Sequence, residues 1–475
     1  MLVAREAERQ QLVSSLSDEY SQFIAVYGRR RVGKTFLVRE SFGYEFTFQH
    51  AGLAAGSLSD QLYAFAESLK DAGLKSFDQP SSWLEAFALL KDLVRQAPGN
   101  KKVIFIDELS WMDTPKSGLV TALENFWNGW ASGRKDIVLV VCASATSWML
   151  NKIVHNKGGL YNRLTKQIHL QPFTLGECEQ MLAAKGIEMN MHQVLECYMI
   201  MGGVPFYWDF LKRGKSLAQN IDAIFFAQDA PLKREFDHLY ASLFKNPEDY
   251  LAIVSSLAKR KAGMTREEIL AATSLTESGA LSRKLEELES CGFLREYRKF
   301  GNKQRGSLYQ LVDNYTLFYY KFLENGPRDE CFWENSADSS TRNAWCGLAF
   351  ERVCLEHVPQ IKRALGISGV LASVSSWSCK EDPDNGINGS QIDLLIDRKD
   401  QVINLCEMKF ATDDFAITKA VEESLRHKVS DFKALAKTRS AVHVTLITTY
   451  GLKENRYSGI AQSVVTADDL FAPAS

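Results

Sequence analysis

"VYGRRRVGKTFLVRES", Val26–Ser41, decides how the chain begins to fold. A short β-rich run, Phe23–Tyr27, leads into Gly28, four further residues, then Gly33-Lys34-Thr35 and an apolar-periodic stretch to about Phe42. Strand, loop and helix in this order and spacing make a complete Walker A element. Gly28 and Gly33 permit a turn that aims backbone N–H groups at phosphate oxygens, and the dipole of the following helix adds to that attraction. Lys34 is expected to reach the β- and γ-phosphates of ATP, and the Thr35 hydroxyl to ligate Mg²⁺.

Working outward, "KKVIFIDELSWM" (101–112) is a buried-type strand ending in Asp107-Glu108, and open α/β sheets bind ligands at that end of a strand. Asp107 is expected to hold Mg²⁺ and Glu108 to polarise the attacking water as general base. Alone, such a pair also reads as a helix N-cap; the Walker A element upstream favours the catalytic reading. A third run, "DIVLVVCASATSW" (136–148), brings Ser144 or Thr146 toward the γ-phosphate, although both residue types end strands for turn reasons too. Between the first two runs lie a candidate strand, "YEFTFQH" (44–50), and amphipathic stretches at Leu58–Leu69 and Trp83–Val94, and "YNRLTKQIHLQPF" (161–173) supplies a last strand. The pattern is a doubly wound parallel sheet.

At 475 residues, 45% hydrophobic and 24% charged, the chain is globular and too long for one core. A formal net charge of -2 excludes a whole-protein attraction for nucleic acid, so any such contact needs local basic patches. The opening "MLVAREAERQQLV" is not a signal peptide, and no run approaches the roughly eighteen apolar residues of a spanning helix. The nine cysteines are odd in number and never spaced C-x-x-C, which argues against zinc and a disulfide framework. They are expected to be buried thiols of a cytoplasmic protein without a membrane segment.

With these residues placed, the chain resembles the AAA-like ATPases of archaea and bacteria of the additional-strand, catalytic-glutamate class, close to the signal-transduction ATPases. The resemblance rests on Gly28, Gly33, Lys34, Thr35, Asp107 and Glu108. It implies that Arg5-Glu6 stands for a "G-R-E" box near the adenine, with Ala4 where glycine is usual. It also implies that Pro205 in "MGGVPFYWDFL" (201–211) sits against the base as part of a lid motif. Arg163 occupies the place of a phosphate-facing arginine; a solvated arginine before a strand is the competing reading. Such ATPases often draw an arginine from a neighbour, which implies a homo-oligomer or a partner protein.

After Pro172, "TLGECEQML" opens with a capping box, Thr174 to Glu177, and begins a helical lid. From about Asn246, three short helices precede two β-like runs around "GNKQRG" (301–306), the order of a winged helix. The third helix, roughly Ser278–Ser290, offers Ser282, Arg283 and Lys284 and then turns acidic at Glu286, Glu287 and Glu289. Arg298, Lys299, Lys303 and Arg305 make a basic wing, with Lys259-Arg260-Lys261 earlier. These cations suit DNA phosphates without reading sequence, and they suit a solvated hairpin tip equally well.

An aromatic helix, "DNYTLFYYKFLENG" (313–326), and a polar boundary, "ENSADSSTRN" (334–343), lead to the final domain. There "QIDLLIDR" (391–398) and "VINLCEMKF" (402–410) form a hairpin. Glu407 and Lys409, two residues apart, share one strand face; Asp393 comes from the neighbouring strand and Glu351 from the opening helix. Glu351, Asp393 and Glu407 are expected to hold Mg²⁺ or Mn²⁺, and Lys409 to orient or deprotonate water. The alternative is an amphipathic hairpin whose charges face solvent, but "NLCEMKF" sets its charges inside an apolar strand, where unpaired charge is costly. This set resembles the PD-(D/E)xK nuclease fold, with Ile392 where proline is usual. Lys419, Glu422 and Glu423 on the next helix are further candidates of the kind that assist such sites.

The fold class expected is multidomain α/β: a P-loop parallel-sheet ATPase core at 1–171, a helical lid at 172–240, a winged helix plus linker helix at 241–325, and an α/β restriction-endonuclease-like domain at 340–475. The function expected is an ATP-hydrolysing, ATP-regulated Mg²⁺-dependent nuclease or DNA-processing factor. The alternative is an ATP-driven switch or scaffold whose nuclease-like domain binds DNA or a protein without cleavage. A small-molecule kinase would use the phosphate loop and leave the C-terminal constellation idle.

Overall fold

The computed structural model describes residues 2–473 except 245, 274, 276–278, 302–306, 328 and 386. The chain forms two compact units, Met1–Pro172 with Glu286–Cys291, and Phe173–Leu285 with Gly292–Ser475. The helix Gly279–Ser290 is divided between the two units at Leu285.

In the first unit, helix α1 (Glu6–Val13) precedes β1 (Gln22–Tyr27), and α2 (Lys34–Ser41) follows the glycine loop. Then come β2 (Phe48–Ala51), α3 (Leu58–Asp71), α4 (Trp83–Gln96), β3 (Lys102–Asp107), α5 (Leu119–Gly129), β4 (Ile137–Ala143) and β5 (Lys166–His169). The strands pair in parallel in the order β2-β3-β4-β1-β5. Every residue of β1, β3 and β4 is buried, as a parallel sheet covered on both faces requires. Alternation divides β1 between two cores. Phe23, Ala25 and Tyr27 join the α3–α4–α5 side, and Ile24 and Val26 join Leu12 of α1 with Leu37 and Val38 of α2. Because β4 lies between β1 and β3, the ends of all three strands emerge at one sheet edge. That edge gathers the glycine loop, Asp107-Glu108 and Ser144.

In the second unit, α6 (Leu175–Ala184) starts on the Thr174–Glu177 capping box with both reciprocal bonds made, and α7 (Met191–Met201) follows. Helices α8 (Pro247–Ala258), α9 (Arg266–Ala272) and α10 (Gly279–Ser290, of which Gly279–Leu285 belongs to this unit) precede an antiparallel hairpin of β6 (Leu294–Tyr297) and β7 (Leu308–Leu311). Next come α11 (Ser340–Glu356), β8 (Ala372–Ser378), β9 (Gln391–Arg398), β10 (Val402–Lys409), α12 (Lys419–Ala436), β11 (Ala441–Thr448) and β12 (Ser463–Thr466). Their sheet runs β12-β11-β10-β9-β8, antiparallel from β8 to β10 and parallel from β10 to β12. Helix α12 makes the crossover that parallel β10 and β11 need. It places Phe432 on a core of Trp377, Ile392, Leu395, Ile403 and Leu405.

Three expectations change here. The described part of the basic wing has a paired backbone, although Arg298 itself is exposed: Phe300 N–H donates to the Ser376 carbonyl at 2.7 Å, and its ring lies 5.1 Å from that of Phe432. Strand β8 is a sheet edge with unpaired backbone groups, and the segment after β6 pairs with it. Lys303 and Arg305 lie outside the described residues. Lys284 is not offered to a groove either, since its ammonium sits 3.3 Å from Asp249 and over the Tyr250 ring. Of the nine free cysteines seven are buried, but Cys331 is exposed and Cys379 half-buried. Among the described residues, no helix is long and apolar enough to cross a membrane.

Gly28 has φ 147°, and a Cβ there would stand 2.2 Å from the Leu170 carbonyl oxygen; Gly33 has φ 90° with open space around it. Gly33→Ala is therefore expected to cost about 1–2 kcal/mol from backbone strain alone. Gly28→Ala is expected to cost at least about 3 kcal/mol, because β1 and the segment after β5 must also separate. Urea denaturation ranks the two, and equal costs would show that the close approach at Leu170 is relieved cheaply.

Candidate functional site

Two polar constellations were anticipated, and each is built within one unit. In the first, Gly33 caps α2 in a left-handed conformation, which turns the chain so that Lys34, the first helical residue, points back into the loop. The buried Lys34 ammonium donates to the carbonyls of Gly28 and Arg29, both at 2.9 Å, and to the Ser144 hydroxyl at 3.2 Å. Burial pushes its pKa down, and the nearby Glu108 and Asp107 carboxylates offset part of that effect.

The Thr35 hydroxyl donates to Asp107 Oδ2 at 2.6 Å. Asp107 also accepts the Glu108 N–H at 3.0 Å, and Glu108 itself holds φ 46°, a left-handed conformation that a non-glycine residue adopts at a cost. Glu108 receives two bonds from Ser144, from its hydroxyl at 2.6 Å and its N–H at 3.2 Å. Of the two hydroxyls expected near the γ-phosphate, Ser144 therefore joins the constellation, whereas the buried Thr146 hydroxyl has no partner among the described residues. Thr35 and Asp107 place two hard oxygen donors side by side, a pair that fits Mg²⁺.

The remaining candidates stand apart from this chain of bonds. Ala4 and Arg5 both have positive φ, which explains why glycine would suit position 4. The Arg5 guanidinium donates to the Gln171 carbonyl and to Glu8 Oε1. Arg163 is exposed in the turn before β5, with no ion pair among the described residues. Pro205 belongs to the second unit, at the start of a short helix, Pro205–Trp208.

In the second constellation, Glu407 and Lys409 do share one face of β10 and pair at 2.9 Å. The pairing of β9 with β8 shifts register between Ile392 and Leu395, at the position of Asp393. Such an irregularity re-aims a side chain, and Asp393 accepts from Gln391 Nε2 at 2.6 Å. Glu351 comes from α11, which lies against β10. The metal shell expected of Glu351, Asp393 and Glu407 is not assembled. Among the described residues no three His, Cys, Asp or Glu side chains stand together as a metal would need. Lysines occupy the space instead. Lys261 lies 2.7 Å from Glu351 and 3.5 Å from Asp393, and Lys428 lies 2.7 Å from Glu407.

These cations set the electrostatics. Burial acts to raise the Glu407 pKa, but the Lys428 and Lys409 ammonium groups overrule it and hold the carboxyl below its ordinary range. Glu351 goes the other way, held up by burial and by the Asp393 and Glu407 charges despite Lys261. Lys428 and Lys261 escaped the sequence reading. Lys428 had a signal, because it falls on the inward stripe of α12 with Leu425, Val429 and Phe432. Lys261 had none in this respect, being one of three basic residues in a turn. The candidates named on α12 pair along its surface instead, Lys419 with Glu423 and Glu422 with Arg426.

Residues 2–208 match the profile of an ATPase domain predominantly from Archaea, and this part of the chain is a P-loop ATPase domain. An uncharacterised protein of Methanocaldococcus jannaschii is 22% identical over 419 residues, which is 83% of this chain and 84% of that one. Among solved structures, the Walker-type ATPase of Pyrococcus abyssi aligns over 66% of this chain and 95% of its own, at 15% identity and a TM-score of 0.45. The Aeropyrum pernix ORC2 protein, in ADPNP–ADP complexes, aligns over 75% of this chain and 96% of its own, at 14% identity and a TM-score of 0.42.

The raised Glu351 pKa sets the sign of a pH effect. Unfolded, the carboxyl titrates near 4.5, so the folded state binds the proton more tightly. The stability this contributes is complete below 4.5 and is lost as pH rises through the folded value. Glu351→Gln is therefore expected to raise the melting temperature at pH 8, with the gain shrinking to nothing toward pH 4. Melting curves across that range check it, and a lower melting temperature at pH 8 would mean that the Lys261 pair outweighs the cost of burial.

Proposed function

We propose that the chain binds ATP at the phosphate loop, hydrolyses it with Glu108 as general base, and uses the cycle to control its C-terminal domain on DNA. The carrying observation is the continuous chain Lys34–Ser144–Glu108 beside Thr35–Asp107. A γ-phosphate that takes Lys34 and Ser144 as donors draws Ser144 away from Glu108. The freed carboxylate accepts a proton from water as the water oxygen attacks the γ-phosphorus; the bond to the β,γ-bridging oxygen breaks and its electron pair leaves with ADP. Mg²⁺ held by Thr35 and Asp107 would neutralise phosphate charge. The adenine-side role of Pro205 and the phosphate role of Arg163 belong to this reading, and the exposure of Arg163 suits contact with a neighbouring copy in a homo-oligomer.

For the C-terminal domain, the order of α11, β8–β10, α12 and β11, with Asp393, Glu407 and Lys409 on adjacent strands, supports a nuclease-like fold. The three helices and hairpin before it support a winged helix. The lysines on Glu351, Asp393 and Glu407 favour the second reading, a switch whose C-terminal domain holds DNA without cutting it.

Lys34→Ala is expected to abolish ATP turnover. Glu108→Gln should still bind ATP while hydrolysis falls about 10²–10⁴-fold, and normal turnover in that variant would remove Glu108 as base. Cleavage of single-stranded, duplex and branched DNA, with Mg²⁺ or Mn²⁺ and with or without ATP, separates the two C-terminal readings. Cutting that is lost in Lys409→Ala establishes the nuclease; binding without cutting by the wild type establishes the switch.

A further inference from the structure

The second unit holds a cavity of about 560 Å³ between the end of α8, the helical segment 314–323 and the first turns of α11. Its charged lining is Lys259, Lys261, Lys321 and Arg352, with one carboxylate, Glu324. Lys261 is engaged with Glu351 and Asp393, but Lys259, Lys321 and Arg352 make no ion pair among the described residues. Arg352 Nε is shut off from solvent with no hydrogen-bond partner among the described residues. Burial pushes this guanidinium down to about 10, against the opposing pull of the Glu351, Glu356 and Asp393 charges. The cavity also receives the start of α11, at Ser340 and Thr341. That helix is 17 residues long, and the Ser339 side chain does not cap it, so its first N–H groups and its dipole add to the positive field.

We propose that this cavity is a phosphate site, and that the phosphate belongs to the backbone of single-stranded nucleic acid. Three cations from three separate elements surround a space that a tetrahedral anion with several acceptor oxygens can satisfy together. Half-buried Tyr320 on the wall offers ring surface to a neighbouring base, and a recess of this volume admits one nucleotide unit. Lys261 connects the cavity to the carboxylate constellation, so a strand held here passes beside Asp393 and Glu351. The proposal rests on the reading that the C-terminal domain acts on DNA.

The test uses the full chain with its phosphate loop filled by saturating ADP, and the anisotropy of a labelled twelve-nucleotide oligothymidylate titrated at several salt concentrations. Lys259→Glu and Lys321→Glu, both at exposed positions, are each expected to weaken binding on the order of tenfold and to flatten the salt dependence by about 0.7 for each phosphate no longer neutralised. Lys321→Arg should bind as wild type, and basal ATP turnover should not change. Lys215→Glu, on an exposed loop elsewhere in the unit, supplies the comparison, and an equal loss there would overturn the site. Oligonucleotide binding that is equal in wild type and both variants would overturn the cavity while leaving the DNA reading intact. Failure of the wild type to bind oligonucleotide would overturn the nucleic-acid source, and the DNA reading falls with it if duplex and branched DNA also go unbound. Calorimetry with pyrophosphate then decides the cavity itself: heat that is lost in Lys321→Glu keeps it as a site for free phosphates, and no heat overturns it.

Discussion

The Lys34 ammonium is the constraint on which the first unit's chemistry depends. It is a buried cation whose hydrogen bonds reach the glycine loop after β1 and Ser144 after β4, and Ser144 passes the contact to Glu108 after β3. Each of these groups would be costly to bury alone. Sheet order makes the arrangement possible, because placing β4 between β1 and β3 brings three loops from distant parts of the chain to one edge. The left-handed glycine at position 33 and the strained Glu108 are the local adjustments that point their side chains inward.

The second unit shows the converse arrangement, with half-buried carboxylates and lysines as their partners. Glu351, Asp393 and Glu407 are like charges brought near one another by α11, β9 and β10, and like charges in a poorly hydrated place need cations. Lys261, Lys409 and Lys428 meet that need from three elements. The opposite shifts of Glu351 and Glu407 follow from how the cations divide: two reach Glu407, whereas Glu351 shares one with Asp393. A divalent cation at these carboxylates would have to compete with ammonium groups already in place.

How much was legible differs between the units. The phosphate loop was fully legible because its chemistry is local: two glycines, a lysine and a threonine at fixed spacing, flanked by a strand and a helix. Asp107 and Glu108 were legible for a related reason, since a run of apolar residues ending in acids marks the rim of a sheet. Choosing Ser144 over Thr146 was not possible beforehand, because both follow the same strand and only the turn after Ala143 decides which hydroxyl faces Lys34. In the second unit, the alternation of Glu407 and Lys409 was visible, while the irregularity at Asp393 came from pairing with β8. The basic wing misled because charge in a sequence does not say whether the backbone beneath it is paired.

By itself, then, the sequence determined what depends on neighbours along the chain: the phosphate loop, the buried strands, the Thr174 helix cap, and the inventory of acids and lysines. Tertiary structure alone decided which charges meet. Strand order set the Lys34–Ser144–Glu108 contact, and the packing of α11 and α12 against the C-terminal sheet, with Lys261 reaching in from the turn after α8, brought Lys261 and Lys428 onto the carboxylates. The physical reason is range. Backbone preference and side-chain periodicity act over a few residues, whereas charge pairing and burial act through space between segments that the sequence holds far apart.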